Sequence, residues 1–168
     1  LLAPYVRKSS YQSWQSCQHK YFLIYGLGIE DKCNVKTIYG TVIHKVLDVL
    51  AQCKLGYQNS QQIIIDDLLG QISCNIINLD QLIEKTYKAF SKKYELLDNP
   101  EGLDFVSQSC WKAISDFGGR FNPLSRNIVC AEKHFDFPLP YKWAQFEHND
   151  ETLFFSMKGT IDLSTRID

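Results

Sequence analysis

No two of the six cysteines stand at a CxxC or CxxxC spacing. Cys17, Cys33, Cys53, Cys74, Cys110 and Cys130 are separated by gaps of 16 to 36 residues, so a self-contained zinc or iron–sulfur site is not indicated. No signal-peptide pattern opens the sequence, so a disulfide framework is not expected and most of these cysteines are read as buried small hydrophobes. Nor does any apolar run approach the roughly 20 residues of a membrane helix. The expectation is a soluble, intracellular protein, neither secreted nor membrane-bound. A large basic excess is also missing: the formal net charge is -1, which argues against a protein that simply coats nucleic acid. Internal repeats and low-complexity tracts are absent as well.

What the chain has is apolar mass. Of its 168 residues 45% are hydrophobic, with ten Phe, nine Tyr and three Trp, enough for one globular domain with a core. The charge is unevenly spread. Residues 1–54 carry seven Lys/Arg against three Asp/Glu, and residues 55–110 carry four against eight. A basic surface on the first third beside an acidic site is compatible with that gradient.

Helical spacing dominates the first two thirds. Ser9 or Ser10 can cap a helix whose Tyr11, Trp14, Cys17 and Tyr21 form an aromatic face read as core-facing, ended by Gly26 and Gly28. A second helix is expected from about Thr41 to Gln52, with Gly56 as its stop. Gly40 just before it marks a tight entry or a close backbone approach. Residues 61–75 are ambiguous: Ile63–Ile65 suit a strand, but Leu68, Leu69 and Ile72 favour a helix interrupted by Gly70. Asn78 and Gln81 form a capping-box pattern for a third helix. Residues 99–102 read as a turn, and a further helix over 103–117 ends at Gly118-Gly119. From Ile128 the pattern changes to strands: Ile128–Phe137, Tyr141–Glu147 and Leu153–Leu163, with a turn at 148–151. In the last strand Met157, Gly159 and Ile161 face one way and Lys158, Thr160 and Asp162 the other. The expected class is α+β, helices followed by an antiparallel meander.

Asp162 is the leading candidate for chemistry. A carboxylate on the polar face of a strand, beyond Gly159 where no side chain projects, has room for a hard cation such as Mg²⁺ or Mn²⁺; an Asp that merely closes a strand is the plainer alternative. His44, at the edge of its helix's apolar stripe, is either a ligand reaching a cleft or a hydrogen-bonded marginal histidine. Glu132 and Glu147 are edge carboxylates whose plainest partners are Lys133 or Lys158. Lys158 lies four residues from Asp162, about 13 Å along a strand, which suits a phosphate-backbone contact or a solvated side chain.

Taken in order, these features resemble the RecB-like branch of the PD-(D/E)XK nuclease superfamily, which includes the nuclease domains of RecB and AddB and the CRISPR-associated RecB-like exonucleases. The matching stretches are Ser9-Ser10-Tyr11-x-x-Trp14-x-x-Cys17 with Tyr21-Phe22, then Gly40-x-x-x-His44, Val129-Cys130-Ala131-Glu132, and Gly159-Thr160-Ile161-Asp162. They span residues 9 to 162. Gln18 departs from the pattern, standing where the family has proline. The resemblance implies one partial nuclease domain over 1–168 with a helical insertion at about 57–120, a restriction-endonuclease-like core cut before the strand bearing (D/E)xK. Both ends are accordingly read as fragment boundaries, and the 168 residues alone are expected to be inactive.

The resemblance also implies an activity, metal-dependent hydrolysis of DNA phosphodiesters, as an exonuclease in repair, recombination or defence. His44 and Asp162 are then the catalytic metal ligands for Mg²⁺ or Mn²⁺. Gly40, Glu132, Gly159 and Thr160 support them. Cys17 is the candidate first ligand of a 4Fe-4S cluster completed by downstream cysteines, or else a core residue. Arg7, Lys8, Lys20 and Lys158 are candidate contacts to single-stranded DNA, and a helicase or recombination complex is the implied partner. The rival expectation is a non-catalytic nuclease-like module that holds DNA or protein.

Overall fold

A computed structural model describes residues 5–29, 34–62, 64–74, 78–96, 99–115, 122–148 and 150–166. The chain mixes helices with small sheets and divides into two compact units: Leu1–Lys32 with Lys133–Ile161, and Cys33–Glu132 with Asp162–Asp168.

The second unit is built on three helices, α3 (Val35–Gln58), α4 (Leu79–Lys93) and α5 (Pro100–Ser115). Asn34 starts α3 by accepting the Lys36 N–H at 3.0 Å, so the helix begins well before Thr41. Gly40 therefore lies inside it. No atom comes within 4 Å of where a Gly40 Cβ would stand, so the expected tight entry or close approach is corrected. Gly56 likewise fails to end the helix. Val42, Val46, Val49, Leu50 and Cys53 make its buried stripe. Asn78 caps α4 through the N–H groups of Asp80 (3.0 Å) and Gln81 (3.2 Å), and Leu82, Ile83, Tyr87 and Phe90 meet the α3 stripe. Residues 99–102, expected as a turn, open α5 instead. Asn99 Oδ1 accepts the Glu101 N–H at 3.0 Å, and Pro100 occupies the first helical position, where its missing N–H costs nothing. Gly102 is needed there because a Cβ would strike the hydroxyls of Tyr39 and Tyr87. The Gly118-Gly119 stop lies outside the described residues.

Between α3 and α4 the chain makes a hairpin rather than an interrupted helix. Strand β2 (Ile64–Asp67) pairs antiparallel with β3 (Gly70–Ser73). Gly70 at φ +68° and the Leu69 N–H donated to Asp67 Oδ1 (2.8 Å) close the turn, and Leu69 sits buried in the core. A cysteine expectation also fails here. Cys53 and Cys74 form a disulfide that joins α3 to the end of β3, because the hairpin folds back onto the helix's inner face.

The first unit holds β1 (Tyr5–Val6), α1 (Lys8–Ser16), α2 (Gln18–Tyr21), a π-helical turn (Phe22–Gly26), and the hairpin β5 (Gln145–His148) with β6 (Glu151–Phe154). Asn149, in the expected 148–151 turn, lies outside the described residues. The single aromatic first helix is thus broken at Cys17, which is extended (φ -162°). Its aromatic face is not core: Tyr11 and Trp14 are 51% and 46% exposed, since a nine-residue helix here leaves that side uncovered. Strands β4 (Asn127–Pro138) and β7 (Ser156–Arg166) have residues in both units and form, with β1, a sheet of order β1-β7-β4. Because β1 runs parallel to β7, this is not the meander expected. Residues 142–144 form a 3₁₀ turn in place of the start of a strand. The last strand is also interrupted at Phe155, whose N–H and C=O bond Ala144 and Leu139.

Candidate metal centre

A cavity of about 370 Å³ in the second unit brings His44 and Asp48 of α3, Glu132 of β4 and Asp162 of β7 to one space, with Leu47, Ala51 and Leu163 among its apolar walls. His44 and Asp162 are 118 positions apart in the chain. Helical geometry places His44 and Asp48 on one face, a turn apart. The β4 end of the cavity is held by α3 itself: the Gln58 side-chain amide donates to the Ile128 carbonyl and accepts the Ile128 N–H, both at 3.0 Å. That two-point bond satisfies the backbone of buried Ile128 four residues before Glu132. Glu132 has φ +48°, a left-handed conformation that a non-glycine residue adopts at a cost of about 1 kcal/mol or more.

The carboxylates differ in how they are engaged. Asp48 is only 7% exposed and accepts from Lys45 Nζ (3.1 Å) and Gln52 Nε2 (2.8 Å). Its hydrogen bonds are spent within the helix. Asp162 and His44 are exposed, Glu132 half-buried. Carboxylate oxygen suits Mn²⁺ or Mg²⁺ and imidazole nitrogen suits softer first-row divalent ions, so the mixed set fits Mn²⁺ better than Mg²⁺ by chemistry. Among the described residues, no group of three or more His, Cys, Asp or Glu is close enough to hold a metal.

Asp48 escaped the sequence reading. The signal was present, an acidic residue inside an apolar run and four positions after His44, but helical spacing alone does not separate a cavity residue from a helix-internal ion pair.

The remaining candidates lie elsewhere. Gly40 is in α3 with open space beside it. Thr160 Oγ1 is 2.8 Å from His134 Nδ1, and Gly159 lacks a side chain where the Phe135 ring lies, 2.5 Å from a would-be Cβ. Both have local partners in the first unit. Lys158 pairs with Asp136 at 2.7 Å rather than with an edge glutamate. That ion pair holds the Asp136 carboxyl below its usual range. Glu147 accepts from the Thr152 hydroxyl (2.8 Å) instead of a lysine.

Cys17 is exposed, against the core alternative, and its Sγ accepts the Lys20 N–H at 3.4 Å to cap α2. It is the one cysteine of the first unit. Burial pushes the Cys110 thiol up to about 11, and Cys53 and Cys74 are bonded to each other, so these three are poor thiolate donors in the folded chain. Arg7 and Lys8 flank the start of α1 and are exposed.

No family model, curated protein or solved structure matches the chain. Among the described residues no helix is long and apolar enough to cross a membrane.

Proposed function

We propose that the chain carries part of the active site of a divalent-metal-dependent deoxyribonuclease of the RecB-like kind. The observation that supports this reading is the cavity shared by His44 and Asp162. Two residues singled out from separate motifs, and distant in sequence, open into one space with the acids Asp48 and Glu132 beside them.

In this reading His44 through a ring nitrogen and Asp162 through its carboxylate hold the cation. A bound Mn²⁺ or Mg²⁺ supplies Lewis acidity toward a phosphoryl oxygen and acidifies a coordinated water. Asp48, tied to Lys45 and Gln52, fixes the face of α3 that presents His44. Glu132 adds negative charge at the rim.

The test is degradation of labelled single- and double-stranded DNA with Mn²⁺, by the 168-residue chain and by any longer parent protein that contains it. Cutting is expected from the longer protein and little from the 168 residues. Asp162→Ala and His44→Ala should each reduce cutting by more than the about 10–100-fold that follows removal of a ligand's supporting partner. A folded parent that does not cut, or cuts regardless of both substitutions, would move the assignment to a non-catalytic DNA- or protein-binding module.

A further inference from the structure

The second unit has a recess of about 530 Å³ lined by both partners of its disulfide, Cys53 of α3 and Cys74 after β3, with Tyr57, Ser60, Gln61 and Gln62 around them. The bond stands where the core meets this recess. Cys53 belongs to the core cluster and is 8% exposed, whereas Cys74 is half-buried and only borders that cluster. Tyr57, one helical turn after Cys53 and so on the same face of α3, is 81% exposed, so the recess is open on that side. Its polar lining consists of two amides and two hydroxyls, and no acidic residue lines it among the described residues. Positive charge does stand at its rim. The Lys54 ammonium lies 6.0 Å from the centre of the Tyr57 ring, close enough for the ring face to attract it.

We propose that this recess is a thiol–disulfide exchange site that takes an anionic, peptide-sized thiol. Amide and hydroxyl side chains suit the peptide groups of such a molecule, and Lys54 attracts its carboxylates. Its thiolate is the nucleophile. It attacks Cys74 Sγ, the more open of the two sulfurs, and forms a mixed disulfide there. The Cys53–Cys74 bond breaks, and its electron pair leaves on Cys53 Sγ, which takes a proton from water. A second molecule of the thiol then attacks the sulfur of the first. That step releases Cys74 as a thiolate, which is protonated in turn, and yields the thiol's own disulfide. Two thiols are oxidised and one protein disulfide is reduced. The reaction is reversible because the hairpin has other ties to α3: the ion pair of Asp67 with Lys45 and the buried side chains of Ile65 and Leu69. With the Cα atoms of Cys53 and Cys74 5.0 Å apart, within the span of a disulfide, the pair can close again. This site is independent of the nuclease reading, since neither His44 nor Asp162 takes part.

The 168-residue chain, first oxidised with glutathione disulfide, is treated with millimolar reduced glutathione well below its melting temperature. Samples are trapped with N-ethylmaleimide and mapped by peptide mass spectrometry. Glutathione should appear on Cys74 first, followed by trapped thiols at both Cys53 and Cys74. The rate should stay flat in low urea, because attack occurs in the folded chain. Lys54→Gln should slow reduction by glutathione about threefold, as loss of one exposed charge interaction does. The same variant should leave reduction by neutral 2-mercaptoethanol unchanged, and Lys54→Arg should keep the wild-type rate with both thiols. A rate that climbs with urea in step with unfolding would show that the bond is out of reach in the folded chain and would overturn the proposal. So would glutathione found on Cys53 in place of Cys74, a pair that glutathione disulfide fails to close, or a Lys54→Gln effect that is absent or equal for the two thiols.

Discussion

Lys45, next to His44, lies between two carboxylates, Asp48 at 3.1 Å and Asp67 of the hairpin at 2.5 Å. Burial acts to lower the Lys45 pKa, but its hydrogen bonds to Asp67 and Asp48 outweigh burial and leave the pKa raised. For Asp67 burial acts upward and is outweighed by Lys45 and the Leu69 N–H, leaving it lowered. The sign follows for each. The Asp67 contribution is full above the unfolded carboxyl value near 4 and is lost as pH falls through its lower folded value. The Lys45 contribution is full below its unfolded value near 10 and is lost only above that. Asp67→Asn should therefore cost about 1 kcal/mol at pH 7, with the gap to wild type closing below about pH 4 in thermal melts. A gap that stays constant into acid would show that the ion pair contributes nothing. Asp67 was invisible in the sequence as a partner of Lys45, because the pairing depends on a hairpin that periodicity did not identify.

That hairpin is also where reading at the scale of elements failed and where covalent structure enters. Residues 63–72 alternate too little for a half-buried strand, since Leu68 and Leu69 stand in the turn itself and Leu69 is drawn into the core. Apolar turn residues imitate helical spacing. By contrast α3, α4 and α5 were legible in kind, because each carries a long stripe at helical period, and so was the start of α4 at Asn78; the ends of α3 and the start of α5 were not, because Gly40, Gly56 and Gly102 looked like breaks. Gly102 is kept by the Tyr39 and Tyr87 hydroxyls, and Gly40 is simply tolerated at about 1 kcal/mol. The disulfide Cys53–Cys74 closes a loop of 21 residues, which restricts the unfolded chain by about 3 kcal/mol. Reduction, or Cys74→Ser, should lower the melting temperature by on the order of 10 °C. An unchanged melt after reduction, with two thiols titrated, would contradict that role.

Across the whole molecule, the mixture of helices and small sheets was legible, but the architecture was not. His44 and Asp162 each stood out as a polar residue at a definite place on an otherwise apolar or alternating element, were singled out as a pair through the resemblance, and line one cavity. The order of the sheet was not found: nothing in the alternation of residues 156–166 reveals that β1 runs parallel beside β7. Nor did helical spacing reveal that the Tyr11–Trp14 side of α1 is left open to solvent, since a stripe of aromatics reads the same whether it is covered or not.

The cavity of His44 and Asp162 as a divalent-cation site is the central claim, and Mn²⁺ titration of the 168-residue chain by isothermal calorimetry, beside His44→Ala and Asp162→Ala, tests it most directly. Binding of Mn²⁺ by the wild type, weakened at least tenfold by either substitution while the melting temperature is kept, is the predicted result. Mn²⁺ binding that neither substitution changes, or no binding at millimolar Mn²⁺, would contradict it.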